Sequence, residues 1–458
     1  SDAFGYDLIG STYRIAPRVL TLSGIATQNK TYDGTRDADA AQFHATLNNI
    51  VAGEESLVSA TATGAAYNSK DVASANAVNY TGVALGGTGA GNYRIASTVQ
   101  GAGSITAKEL NLALTGGARF DKMYDGTANV AQTLAKGTNY SLTGFIGTEG
   151  DHLALASATG TYAAGKDAAV NKGVTFDGLS LTGTGAGNYT LDKTTLTGIG
   201  TITPRALTLG EVTAQSKTYD GTTAADAGKF RAALTNAIEG DNVTAAATGA
   251  TYNDKNVARA NRINYTGVAL AGADAGNYSL AATTAQGAGA ITRRTLTVGA
   301  VTAQTKTYDG TSAADAAAFR TTLDNVVAGE ENSVTATATG AAYNDKTVAG
   351  ANVVNYTGVK LQGTGAGNYA IADTAQGAGT ITKRALTVGT VAAQSKTYDG
   401  TTAADASKFG AALAGTIAGD SVTAAAAGAS YNDKNVTGAN AVGYTGLALR
   451  GADAANYS

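Results

Sequence analysis

Lys217-Thr218-Tyr219-Asp220-Gly221-Thr222 is spelled again at 30–35, 306–311 and 396–401, and once as Lys122-Met123-Tyr124-Asp125-Gly126-Thr127. Its five tyrosines, Tyr32, Tyr124, Tyr219, Tyr308 and Tyr398, stand 92, 95, 89 and 90 residues apart. A second phrase keeps step: Gly-Asn-Tyr ends at Tyr93, Tyr189, Tyr278 and Tyr369, and Ala-Asn-Tyr ends at Tyr457. A period near 90 is too long for a solenoid unit, which runs roughly 20–50 residues. It is the size of a small all-β domain. Tandem copies of one module supply reach and multivalency rather than a single active site.

Composition agrees. Gly is 60 of 458 residues and Pro only 2, while 43% of residues are hydrophobic, enough to build cores. Trp is absent and Phe numbers 8, so Tyr, Leu, Val and Ile must fill those cores. Disordered Gly-rich tracts lack periodic β-branched residues, and this chain has many; folded domains with tight turns are expected. The net charge of −3 is small, and no basic stripe points to nucleic acid. No apolar run approaches the ~18 residues that span a membrane, so no direct membrane insertion is expected of this segment. The absence of cysteine suits export unfolded through a pore, although small secreted domains often carry disulfides.

The fourth copy shows the expected module. Leu296-Thr297-Val298 alternates like a half-buried strand, and Val301 to Thr307 continues extended. Asp309-Gly310 supplies a turn. Phe319, Leu323, Val326 and Val327 follow one helix face, a spacing echoed by Phe43/Leu47 and Phe230/Leu234, so each module is expected to carry one short helix. Val334 to Ala338 alternates again, Tyr343 to Lys346 reads as a turn after a strand, and Asn352 to Leu361 as one strand with a bulge at Gly358. Gly363 to Asn368 is a loop, and Tyr369-Ala370-Ile371 and Gly379-Thr380-Ile381 close the unit. The fold class is therefore mostly β: about five ~90-residue antiparallel modules. Ala273-Asp274-Ala275-Gly276-Asn277-Tyr278 resembles the tyrosine corner of immunoglobulin-like sandwiches, which favours that fold, with a β-grasp-like sheet as the alternative. The boundaries read as 1–17, tail of a preceding repeat; 18–107; 108–204, divergent; 205–293; 294–383; and 384–458, truncated. Tyr13 to Arg18 matches a module's tail and Ser458 stops before the last strand, so the chain reads as an excerpt of a longer array. Short polar joints such as Thr292-Arg293-Arg294 predict a semi-rigid rod on the order of 170 Å.

Lys-x-Tyr-Asp-Gly-Thr, then Tyr252-Asn253-Asp254-Lys255-Asn256-Val257, then Asp274-Ala275-Gly276-Asn277-Tyr278, then Ile291-Thr292-Arg293-Arg294-Thr295-Leu296-Thr297, resembles the YDG or MBG-type repeat. The likeness runs from about residue 18 to 458; the second copy departs most, with Phe176-Asp177-Gly178 for Tyr-Thr-Gly and Tyr162-Ala163-Ala164-Gly165-Lys166 for Tyr-Asn-Asp-Lys. Such repeats fill the stalks of large secreted bacterial adhesins, filamentous-haemagglutinin-like proteins of two-partner secretion among them. The resemblance implies an extracellular stalk or biofilm-matrix role at the bacterial cell surface, and carries no assigned binding residue.

No catalytic, cofactor-binding or metal site is expected. His44 and His152 sit in different modules without counterparts, and no Cys offers a nucleophile or zinc ligand. The glycines of Gly87-Thr88-Gly89-Ala90-Gly91 alternate and lead into a strand, unlike a dinucleotide fingerprint. Asp220, Asp254 and Asp274 are candidate Ca²⁺ ligands only if gathered, since Ca²⁺ takes six to eight oxygens; as a capping turn residue Asp220 needs no ion. The 22 tyrosines recur at fixed module positions, which favours core duty over a sugar-stacking surface. The expected partners are cell-surface or matrix polysaccharide, or identical arrays on neighbouring cells, with a passive spacer for a distal adhesin or toxin tip as the alternative.

Overall fold

The computed structural model describes residues 14–458; most of the expected tail at 1–17 lies outside the described residues. Cα packing divides the chain into two compact units. The first comprises Ser1–Thr208, Leu234–Thr244 and Leu270–Ala281, and the second Leu209–Ala233, Ala245–Ala269 and Ala282–Ser458. The fourth repeat lies wholly in the second unit and serves as the type.

Its sheet has four strands in the order Gln304–Thr307, Thr374–Thr382, Val353–Thr357, Gly340–Tyr343. The first pair is parallel, with Gln304 beside Gly379 and Thr307 beside Thr382; the other two are antiparallel. The central strand Thr374–Thr382 makes room for this. Gly377 and Gly379 alternate toward the core, and a Cβ on either would stand 2.6–2.7 Å from Val301 or Val354 methyls. Only glycine lets the strand lie that close to its neighbours. Three two-stranded ladders cover the other end of the repeat: Arg294–Thr295 with Tyr369–Ala370, parallel; Thr297–Val301 with Thr321–Asp324; and Thr335–Thr337 with Lys360–Gln362, both antiparallel. The four-stranded sheet and these ladders are called the tail and the head of the repeat below.

The repeat is β-rich as expected, but its sheets are mixed rather than purely antiparallel, because the strand after Thr302 runs beside the closing strand in the same direction. The expected short helix is also corrected. Ala316–Ala318 is a single 3₁₀ turn, opened by Asp315, whose carboxylate accepts from the Ala317 amide at 2.8 Å. Phe319 is already extended, and Thr321–Asp324 is a strand ended by Asn325 at φ 73°. Residues 319 and 323 share a face in both a helix and a strand, and the β-branched pair Thr321-Thr322 favours the strand. No helix packs on the sheet as the β-grasp alternative requires; among the described residues the helical pieces are 3₁₀ turns of three or four residues. Nor do Asn352 to Leu361 form one bulged strand. Gly358, at φ 61°, separates Val353–Thr357 from Lys360–Gln362, which join different ladders.

Inside the tail, Phe319 tilts against Tyr356 with ring centroids 4.6 Å apart, and Gln304 donates 2.7 Å bonds to the Tyr356 hydroxyl and to the Asp315 carbonyl. Val354, Ile381 and Tyr343 complete this core, and Tyr457 of the next repeat belongs to it as well.

Candidate functional site: the junction between repeats

The two recurrent phrases meet, but never within one repeat. The Tyr-Asp-Gly turn stands at the end of the tail, and its tyrosine is roofed by the Gly-Asn-Tyr turn of the following head.

Between the third and fourth repeats, the Tyr219 and Tyr369 rings make an edge-to-face pair, centroids 5.4 Å apart at 80°. Both hydroxyls converge on Glu330: Tyr219 donates to Oε1 at 2.6 Å and Tyr369 to Oε2 at 2.7 Å. Tyr369 Oη also accepts from the Val327 amide at 3.1 Å. Lys255 Nζ approaches the same carboxylate at 3.7 Å. Beside this cluster, the buried Asn368 accepts from the Val257 amide at 2.9 Å and donates to Asn256 at 2.9 Å.

The other three junctions repeat the arrangement. Tyr32 pairs with Tyr189 on Glu149, Tyr124 with Tyr278 on Asp241, and Tyr308 with Tyr457 on Asp420, at centroid distances of 5.3–5.4 Å. Asn188, Asn277 and Asn456 accept from the amides of Val72, Ala168 and Val348. Even the divergent second repeat conforms: Lys166, in its altered Tyr-Ala-Ala-Gly-Lys turn, reaches Asp241 at 2.8 Å.

The glycine of each Tyr-Asp-Gly turn is fixed twice. Gly34, Gly126, Gly221 and Gly310 have φ of 78–80°, the left-handed region. A Cβ on each would also lie 2.9–3.0 Å from a methyl of Ile146, Ile238, Val327 or Ile417 in the next head. The preceding Asp holds the turn shut: Asp220 Oδ1 accepts from the Thr222 amide at 2.9 Å and from Lys217 Nζ at 2.7 Å, and Lys217 lies 5.5 Å from the Tyr252 ring centroid.

The electrostatics follow from burial. Lys166, then Tyr278, hold the Asp241 carboxyl down at about 2. Burial raises Glu330, but the bonds from Tyr219, Tyr369 and Lys255 outweigh it and the net shift is downward. Burial, then the glutamate bond, pushes Tyr189 and Tyr369 up to about 12. Each junction is thus a charged acceptor between two neutral phenol donors, the stronger class of hydrogen bond.

The remaining candidate residues are scattered. Asp220 serves its turn, Asp254 accepts from the Asn256 amide at 2.7 Å, and Asp274 from the Asn242 amide at 2.8 Å. Among the described residues no group of three or more His, Cys, Asp or Glu could hold a metal ion. His44 and His152 are exposed. Gly87 to Gly91 leads into a 3₁₀ turn and the strand Tyr93–Arg94. The corner reading of Tyr278 identified a hydroxyl bonded to backbone, met here by the Ile238 amide at 2.9 Å. It missed the carboxylate. The signal was present as an acid at one module position: Glu54, Glu149, Asp241, Glu330 and Asp420.

Among the described residues, no helix is long and apolar enough to cross a membrane. The family model described as "YDG domain" matches residues 16–100, 106–196, 203–285, 292–376 and 382–458. No curated protein matches. Among solved structures, the protocadherin gammaB7 EC3-6 cis-dimer covers 80% of this chain and 100% of its own, at 9% identity and TM-score 0.22. Protocadherin gamma B2 domains 3–6 cover 80% and 98%, at 10% and 0.22, and the human desmocollin-1 ectodomain 80% and 78%, at 8% and 0.18. Likeness at this level assigns no fold.

Proposed function

The chain belongs to the YDG domain family, and we propose that it is an extracellular repeat stalk of a bacterial surface or biofilm-matrix adhesin. In this reading the array mediates cell-surface or cell–cell adhesion through multivalent display and performs no catalysis. The observation that carries it is the junction, built four times from the same tyrosine pair, acid and asparagine. Those residues are spent on holding one repeat to the next, which is what a load-transmitting array needs. The candidate partners are cell-surface or matrix polysaccharide or identical arrays on neighbouring cells. Many weak contacts along many copies would then add up.

Residues off the junction vary between copies, as Arg259 and Arg262 do against Gly350 and Val353. That variation favours the second reading, a spacer presenting a distal adhesin or toxin tip. Beads coated with the chain separate the two. Retention on bacterial cells or their extracted polysaccharide, rising steeply with coating density, is expected of the adhesive array. Retention no greater than that of albumin-coated beads at every density contradicts it. Surface location is tested apart from adhesion: protease added to intact producing cells should remove the array.

A further inference from the structure

We propose that this chain carries a complementary docking pair, the head of its first repeat and the tail of its fifth, through which a second copy binds head to tail. The proposal does not depend on the extracellular reading. It rests on four built examples of the same interface and on the exposure of the matching residues at the two remaining faces.

At the tail of the fifth repeat, Tyr398 is 60% exposed, whereas Tyr32, Tyr124, Tyr219 and Tyr308 are at most 1% exposed. Val436, which stands where Val72, Val257 and Val348 offer their amides to an asparagine, is 78% exposed. A cavity of about 180 Å³ opens there, lined by Tyr398, Tyr431, Lys434 and Val436 among others. Gly400 keeps the turn at φ 79°, yet nothing lies within 4 Å of where its Cβ would be. The hole that receives an isoleucine or valine in the four junctions is formed and open.

The head of the first repeat presents the other half. Val51, the counterpart of Val327 and Ile417, is 43% exposed. Asn92 is exposed, although Asn188, Asn277, Asn368 and Asn456 are all buried. The clamp beneath them is already set: Tyr93 donates to Glu54 at 2.6 Å and accepts from the Val51 amide at 3.1 Å. This is the geometry Tyr369, Glu330 and Val327 hold at a closed junction.

Across two copies, Val51 would sit over Gly400, Tyr398 would donate to Glu54, Asn92 would take the Val436 amide, and Lys434 would face Glu54 as Lys255 faces Glu330. The charge signs match, and each polar group finds the partner type it has inside the chain. The contact is heterologous: each copy keeps one free head and one free tail, so association continues past the dimer unless it closes a ring.

Sedimentation velocity of the full chain over a wide concentration range tests this. The chain should form dimers and then larger species as concentration rises. Tyr398→Ala disables only the tail and Val51→Asp only the head; both residues are exposed, so unchanged circular dichroism is expected. Each variant alone should associate at least tenfold more weakly. Mixed together, they should recover a 1:1 dimer and stop there, because the intact head of one meets the intact tail of the other. A chain that stays monomeric at every concentration overturns the proposal. So does association that neither substitution weakens, or a mixture that forms no dimer.

Discussion

Replacing Tyr219 by alanine should loosen two repeats at once. The ring is 1% exposed, stands edge-on to Tyr369 at 5.4 Å, and donates to Glu330 at 2.6 Å. Truncating a buried aromatic side chain costs about 3–5 kcal/mol. Glu330 keeps Tyr369 and Lys255, so no charge is left unpartnered and no larger penalty is expected. Tyr219→Phe keeps the ring and loses one bond to a charged acceptor, about 1.5 kcal/mol. Amide hydrogen exchange resolves where the effect falls. The Val257 amide is bonded to Asn368, and the Val327 amide to Tyr369. Local opening governs such amides, and each 1.4 kcal/mol is a tenfold change in rate. Both should exchange roughly 150- to 4,000-fold faster in the alanine variant and roughly tenfold faster in the phenylalanine variant. If Val327 exchanges within twofold of wild type while residues of the third repeat speed up, the two repeats are not held by this pair and the reasoning fails.

Gly221→Val should destabilise far more than Gly400→Val: both share a left-handed turn, but only at Gly221 does the new Cβ meet Val327, at 2.9 Å, and thermal melts of the two variants give the comparison. At alkaline pH the junction tyrosines matter. Tyr189 and Tyr369 titrate at about 12 when folded and at ~10 when unfolded, so their contribution is complete below pH ~10 and lost as pH rises through the folded value. Spectroscopic titration of phenolate should show a delayed class of tyrosines whose ionisation accompanies loss of circular dichroism; simple titration at pH ~10 of all tyrosines would contradict this. At acid pH the sign reverses for Asp241, held at about 2 when folded: its contribution is present above ~4 and lost as pH falls toward 2, so Asp241→Asn should flatten the acid limb of the stability curve. A chelator should leave the melting temperature unchanged, since Asp220, Asp309 and Asp399 each accept from a lysine and a threonine; a fall of many degrees would make them ligands.

The repeat itself was legible because its phrases lie at turns, where few residue types serve. Asp309-Gly310 closes its turn as read, and the alternating stretches at Thr335–Thr337 and Gly340–Tyr343 are strands. The stretch around Phe319 misled because an i, i+4 pair satisfies both periods, and only pairing with Thr297–Val301 decides between them. The site was legible in its letters but not in its assembly. Tyr219 and Tyr369 are separated by more than one full period, so reading the phrases as parts of one bead hid the contact. A polar asparagine kept in every copy at a strand entrance, and an acid kept at one position, were the residues that marked it: neither has a task inside its own repeat large enough to fix it.

The interlock across the repeat boundary is tested most directly by a double-mutant cycle on Tyr124 and Asp241, which lie 117 positions apart in sequence and 2.7 Å apart in space. Denaturant melts of the full chain carrying Tyr124→Phe, Asp241→Asn and both give the coupling energy. Contacting residues in one polar network couple by about 0.5–3 kcal/mol, whereas independent sites add within about 0.3–0.5. The junction predicts a coupling of about 1 kcal/mol or more; strict additivity of the two substitutions would show that the repeats are separate beads.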